Sequence, residues 1–136
     1  MAIIPEKYLD LLQKKLQKKK AFASVATVMA DGSPQVTPVW FDYKDGIVRV
    51  NTAKGRVKAH TLREGAPVAL AIIDPDDPYR YVQIRGRVRH VTEQGAAQHI
   101  DSLAKKYLGE DKYTLGRPGE VRLLAEIEPT SSSGMG

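Results

Sequence analysis

The stretch from Asp31 to Leu62, DGSPQVTPVWFDYKDGIVRVNTAKGRVKAHTL, decides the fold. Asp31-Gly32-Ser33 is turn chemistry, and Pro34 to Tyr43 follows with Val36, Val39, Trp40 and Phe41, residues that suit a strand. Lys44-Asp45-Gly46 is a second tight turn, after which Ile47 to Thr52 alternates as a half-buried strand does. Ala21 to Met29, ahead of the first turn, is rich in small and β-branched residues. Three successive antiparallel strands are predicted. Pro34 and Pro38 lack the N–H that a central strand supplies to its ladder, so the second of these strands is expected at a sheet edge or at a bulge. Gly55 breaks the strand pattern, and Arg56 to about Glu64 reads as a short helix.

Outward from this segment the same periods continue. Residues 5–19 place Tyr8, Leu9, Leu12 and Leu16 at helical spacing, with Pro5 early in the first turn where its missing N–H costs little. Val68 to Asp74 is a fourth strand, and Asp74 to Pro78 reads as a loop that neither helix nor sheet would contain. Tyr79 to Val91 is a long strand in which Gly86 marks a bulge or closure point. Thr92 is a candidate N-cap for a helix reaching Leu108, and Val121 to Ile127 is the last strand. The tail 130–136, rich in serine and glycine, is expected to be loose. With no repeat or linker in 136 residues, the expectation is one mainly β domain spanning 1–136. It has six antiparallel strands and three helices, arranged as a closed or nearly closed small barrel.

Composition excludes several kinds of chemistry. There is no cysteine, which removes disulfides, thiolate metal sites and a cysteine nucleophile. No segment approaches a membrane span of about 18 apolar residues, and no leader pattern opens the chain, so a soluble, cytoplasmic protein is expected. A net charge of +5 favours an anionic partner. Lys14, Lys15, Lys18, Lys19 and Lys20 crowd the end of the first helix, and Arg85, Arg87 and Arg89 alternate along a strand. Nothing accompanies this charge that would signal nucleic-acid binding, neither a recognition helix nor interleaved aromatics, and no nucleic-acid partner is expected. His60, His90 and His99 lack metal-ligand spacing and read as surface or helix-face residues; no metal is expected. Asp74, Asp76 and Asp77, set among prolines, read as a solvated turn. No G-x-S-x-G and no catalytic triad is present, and no catalytic residue is assigned.

Asn51 to Leu62, NTAKGRVKAHTL, poses a separate question, because it places Arg56 and Lys58 at the start of a helix. A helix start exposes unpaired N–H groups, glycine permits close backbone approach, and two cations spaced two apart can flank the same point. That combination suits a phosphate. Neither GxxxxGK[ST] nor GxGxxG is present, so the site is neither a Walker loop nor a dinucleotide fingerprint.

DGSPQVTPVW and NTAKGRVKAHTL, in this order among the predicted strands, resemble the pyridoxamine-5′-phosphate-oxidase-like split barrels. The resemblance runs from about Tyr8 to Met135 and is strongest to the flavin/deazaflavin oxidoreductase branch of F420-dependent enzymes. It implies a six-stranded antiparallel split β-barrel that forms a homodimer, with flavin or deazaflavin in a groove between subunits. It further implies that Arg56 and Lys58 hold the coenzyme phosphate, helped by Thr52 and the Gly55 backbone. Val50 and Asn51 would line the ribityl chain, while Gln35, Thr37 and Pro38 would face the ring system. Tyr79 would come from the facing subunit. The activity implied is hydride transfer between reduced coenzyme F420 and a small organic substrate. FMN is the alternative coenzyme, and a non-catalytic carrier or sensor the alternative role. A redox coenzyme would also account for the missing triad, because it carries the difficult chemistry itself. F420 bears an oligoglutamate tail that FMN lacks, and the lysines of residues 14–20 with Arg85, Arg87 and Arg89 are expected to meet it.

Overall fold

The computed structural model describes residues 3–136 of the chain. Helix α1 (Glu6–Gln13) leads into a single 3-10 turn at Lys15–Gln17. Strands β1 (Ala23–Val28), β2 (Pro34–Val39), β3 (Phe41–Lys44) and β4 (Ile47–Ala53) follow. After them come the short helix α2 (Val57–Thr61), β5 (Pro67–Asp74), β6 (Asp77–Thr92), α3 (Ala96–Leu108) and β7 (Arg122–Met135).

Among the described residues seven strands form one antiparallel sheet in the order β2-β1-β5-β6-β7-β4-β3. Its two edges, β2 and β3, are neighbours in the chain with Trp40 alone between them. A sheet whose two edges are covalently adjacent must curl until they meet, and the curl is a barrel split at Trp40. Seven strands rather than six result because the apolar run Val39-Trp40-Phe41 hides a corner. Placing β2 at an edge fits the prolines: Pro34 and Pro38 pair with β1 alone, opposite Val28 and Ser24.

The core lies inside the curl. Phe41, Val48, Leu70, Ile72, Ile84 and Ile127 fill it from the strands, and Tyr8, Leu11, Leu12 and Leu16 close one end from the N-terminal helix and its 3-10 turn. The helical segment therefore ends near Gln17 rather than at residue 19. Helix α3 begins at Ala96, capped by Gly95, because β6 continues through Thr92 where a cap is predicted.

Two further expectations are overturned. Residues 74–78 form a tight hairpin, with Asp74 opposite Asp77 and Pro78 inside β6; Asp74 Oδ1 accepts the Asp76 N–H at 2.9 Å, which lets so short a turn close. The tail 130–136 is not loose, for β7 runs on to Met135 and pairs Ser133 with Gln83 and Met135 with Tyr81. The 16-residue β6 offers a ladder longer than an apolar partner strand would fill, and backbone pairing makes no demand on side-chain hydrophobicity. Gly86 sits at a register shift of this β6·β7 pair, where an added Cβ would fall 2.2 Å from the Glu128 carbonyl oxygen. The bulge expected there is present.

Candidate functional site

Strand β4 alternates across the barrel wall and so sorts the predicted site residues. Val48, Val50 and Thr52 are buried, whereas Arg49 and Asn51 are half-buried on the face that α3 covers. Val50, 1% exposed and paired with Phe41 and Ala125 on either side, belongs to the core and offers nothing to a ligand's ribityl chain. Thr52 is likewise buried, and among the described residues its hydroxyl has no hydrogen-bond partner.

Beyond β4 the chain turns at Gly55, whose φ of +88° favours glycine, and enters α2. Five residues make only one helical turn, and the Arg56 N–H already donates to the Ala53 carbonyl. Positive charge here comes from side chains rather than from a helix terminus.

A cavity of about 210 Å³ opens beside this turn, and Asn51, Arg56, Lys58 and Pro38 line it together with Arg122 at the start of β7. Pairing of β4 with β7 sets Arg122 opposite Ala53, bringing a third cation from 71 residues beyond Asn51. Glu120 is shared by two of the three: Arg56 donates to its Oε2 at 3.0 Å and Arg122 to its Oε1. Burial would push the Glu120 carboxyl up, but hydrogen bonds from Arg122 and Arg56 outweigh it and hold it below the ordinary range. Lys58 forms no ion pair among the described residues. Burial first, then repulsion from Arg56 and Arg122, pushes its ammonium pKa down. Three cations on one carboxylate leave an excess of positive charge facing a concavity, which is an anion site.

The opposite wall is aromatic. Trp40, at the split, stacks parallel on Tyr107 with centroids 5.1 Å apart and meets Tyr113 edge-on at 6.0 Å. Arg122 lies over the Tyr113 ring at 5.0 Å, joining the aromatic wall to the cations. Burial pushes the Tyr107 phenol up to about 12, and its hydroxyl donates to the Ala21 carbonyl, fixing α3 to the split. The arrangement suits a flat ring system carrying an anionic group.

Structure and expectation agree only partly on membership. Pro38, Asn51, Arg56 and Lys58 come together; Gly55 lies in an adjoining cleft lined also by Lys54, Arg56 and Arg117. Gln35 and Thr37 lie half-buried on the edge strand outside the cavity, with Gln35 Oε1 unpartnered. Tyr79, 78% exposed, stands at the start of β6 away from it. Trp40, Tyr113, Glu120 and Arg122 escape sequence reasoning, because only the β4·β7 pairing and the split bring them here.

Residues 5–132 match the pyridoxamine 5′-phosphate oxidase family. The chain belongs to that family. Solved structures of the same fold include an F420 reductase, 29% identical with a TM-score of 0.77, the match covering 96% of this chain and 98% of that one. A conserved hypothetical protein from Mycobacterium tuberculosis is 22% identical over 98% of this chain and 85% of its own, with a TM-score of 0.72. An FAD and heme binding protein from Mycobacterium smegmatis is 18% identical over 96% of this chain and 70% of its own, with a TM-score of 0.66. No curated protein matches. The chain has a flavin-type oxidoreductase fold. Among the described residues no helix is long and apolar enough to cross a membrane.

Proposed function

We propose that this chain is an F420-dependent oxidoreductase that transfers a hydride between the reduced deazaflavin and a small organic substrate, acting as a homodimer with the coenzyme between subunits. The observation carrying this reading is the convergence of Arg56, Lys58 and Arg122 on one cavity with only Glu120 to balance them. Similarity to an F420 reductase along nearly the full length of both chains supports the choice of coenzyme.

The residues present fit such a group. A cation left unpaired and an aromatic wall are what a phosphate and a tricyclic ring require. Arg56, Lys58 and Arg122 would hold the phosphate, Asn51 and the Gly55 turn would flank it, and the open β2 edge at Gln35, Thr37 and Pro38 would face the ring. When bound, the deazaflavin supplies the hydride chemistry; the chain binds, orients and keeps water from it.

At about 210 Å³ the cavity of one chain falls below the roughly 300 Å³ at which small-molecule sites begin, so a second wall is needed. A partner subunit, with Tyr79 at its rim, would provide it. The outer face of β2, β1 and β5 supports pairing: Val36 is 64% exposed and sits in register with Ala26 and Ala69, leaving a flat apolar strip.

The test is the absorbance spectrum of the protein after incubation with F420 or FMN and removal of free coenzyme, with sedimentation of the loaded protein. Retained deazaflavin on a dimer is expected, followed by oxidation of reduced F420 when acceptors are added. Retention of FMN alone would move the protein to the flavin side of the family. Retention without turnover would make it a carrier, and retention of neither would end the proposal.

A further inference from the structure

His99 stands in the middle of a polar chain that runs from the barrel to the anion cavity. Its side chain is 2% exposed on α3, with Nε2 3.2 Å from Asp42 Oδ2 on β3. Asp42 also accepts two hydrogen bonds from Arg49, each 2.7 Å long. On its other side His99 Nδ1 lies 3.1 Å from Asn51 Nδ2, which donates at 2.9 Å to the Ala96 carbonyl. Asn51 Oδ1 accepts from Arg122 Nε at 2.8 Å.

The chemistry of these groups leaves a single consistent arrangement. A guanidinium only donates and a backbone carbonyl only accepts, so Asn51 must turn its oxygen to Arg122 and its nitrogen to Ala96. Asn51 Nδ2 is then a donor toward His99, and His99 Nδ1 must be the unprotonated nitrogen. The ring proton accordingly sits on Nε2 and points at Asp42, whose carboxylate is the acceptor that selects this tautomer. Each contact of the chain from Arg49 to Arg122 then joins a donor to an acceptor.

We infer that His99 is a positioning residue for the anion site, its Nε2–H tautomer locking the Asn51 amide so that Asn51 aims Arg122 into the cavity. A long guanidinium side chain held at Nε keeps its remaining N–H groups directed at Glu120 and the cavity. Released from Asn51, it has rotamers to lose again before it can meet an anion. The inference rests on the reading of the cavity as a coenzyme site, and the experiment separates the two.

Affinities for F420 and FMN are measured by fluorescence titration on the whole protein, for wild type, His99→Ala, His99→Gln, Arg122→Ala and the His99→Ala/Arg122→Ala double variant. His99→Ala is expected to weaken binding about three- to tenfold, the scale of one misplaced hydrogen bond. Glutamine, which offers both an acceptor and a donor, should recover most of that loss. In the Arg122→Ala background His99→Ala should cost nothing more. An unchanged affinity in folded His99→Ala, or an equal loss with and without Arg122, overturns the inference. Nitrogen NMR provides a readout needing no coenzyme. His99 should show the Nε2–H tautomer, and the Arg122 Nε–H signal should be slow to exchange in wild type, broadened in His99→Ala and largely restored in His99→Gln. Binding of neither coenzyme by wild type would remove the cavity reading, while an Arg122 signal indifferent to His99 would remove this one.

Discussion

Two basic regions of this chain look alike in sequence and behave oppositely in the fold. At the end of the N-terminal helical segment, Lys15 Nζ lies 2.8 Å from Asp74 and 3.1 Å from Asp76, Lys19 lies 3.5 Å from Asp76, and Lys14 pairs with Asp10 at 2.9 Å. Lys15 and Lys19 meet the acidic β5-β6 turn, and their pairing pins the helical segment to the barrel. Arg56, Lys58 and Arg122 are fewer, but Arg56 and Arg122 share one carboxylate and Lys58 pairs with none among the described residues. Matched charge is structure, whereas unmatched charge in a concavity is a binding site. By the same logic Lys14, Lys15, Lys19, Arg87 and Arg89 are weaker partners for the expected tail, whereas Lys18, Lys20 and Arg85 form no ion pair among the described residues. Arg89 pairs with Glu126, and Arg87 donates to the Gly65 carbonyl.

The largest effect should come from the unmatched cluster. Replacing Arg56 and Lys58 together by alanine removes two charge-assisted contacts of about 1.5–3 kcal/mol each, so coenzyme affinity by calorimetry should fall about a hundredfold or more. The melting temperature should barely move, since neither side chain fills the core. A double variant that binds as wild type would show that the three cations do not form the site.

How much of this could be read from sequence differs by feature and for physical reasons. Strand positions were legible wherever one face is buried, as at Ile47 to Thr52, and Pro34 with Pro38 placed β2 at an edge through a missing donor. The Gly55-Arg56-x-Lys58 half of the anion site is local and shows in spacing. Its other half is not local: Arg122 and Glu120 arrive through pairing of β4 with β7, and no spacing signals that register. In sequence His99 reads as a surface or helix-face residue because its partners, Asp42 and Asn51, lie far away along the chain on strands β3 and β4. The tail is illegible for the opposite reason, since Ser131 to Gly134 carry no apolar pattern yet pair with β6 through the backbone ladder, Ser133 Oγ adding a hydrogen bond to Gln83 Oε1.

A smaller effect sharpens the comparison between the two basic regions. The cleft lined by Lys54, Arg56 and Arg117 adjoins the cavity through Arg56, and an oligoglutamate tail on the proposed coenzyme would run along it. Changing Lys54 and Arg117 to glutamine should weaken long-tailed F420 about three- to tenfold at low salt and leave FMN unchanged, because surface charges contribute under about 1 kcal/mol each. Raising salt to about 0.5 M should erase most of the difference between wild type and variant by screening. Equal losses for F420 and FMN would mean that the two residues shape the phosphate position itself.

The smallest effect on binding is expected where the sequence holds most lysines. Changing Lys15, Lys18 and Lys19 to glutamine should leave F420 and FMN affinities within about twofold of wild type, since Lys15 and Lys19 are already matched by Asp74 and Asp76 and the exposed Lys18 is screened by solvent. Stability should respond instead, and through Lys15 alone. Asp74 is 2% exposed, and burial pushes its carboxyl up, but hydrogen bonds from Lys15 and the Asp76 N–H outweigh this and hold it below its usual 3.8. A carboxyl with a depressed folded value stabilises the fold fully above the unfolded value, and the stabilisation is lost as pH falls through the folded one. Wild type should therefore keep its melting temperature down to about pH 4 as far as Asp74 is concerned. In Lys15→Gln, among the described residues, only Arg80, at 3.6 Å, remains as a cation beside Asp74, and burial gains ground. That variant should melt lower at neutral pH and begin its acid loss at a higher pH than wild type, while Lys18→Gln follows wild type throughout. A triple variant that keeps its acid profile but loses F420 affinity in proportion to tail length would reverse the assignment, making the helix end the tail's partner and the Asp74 pair incidental.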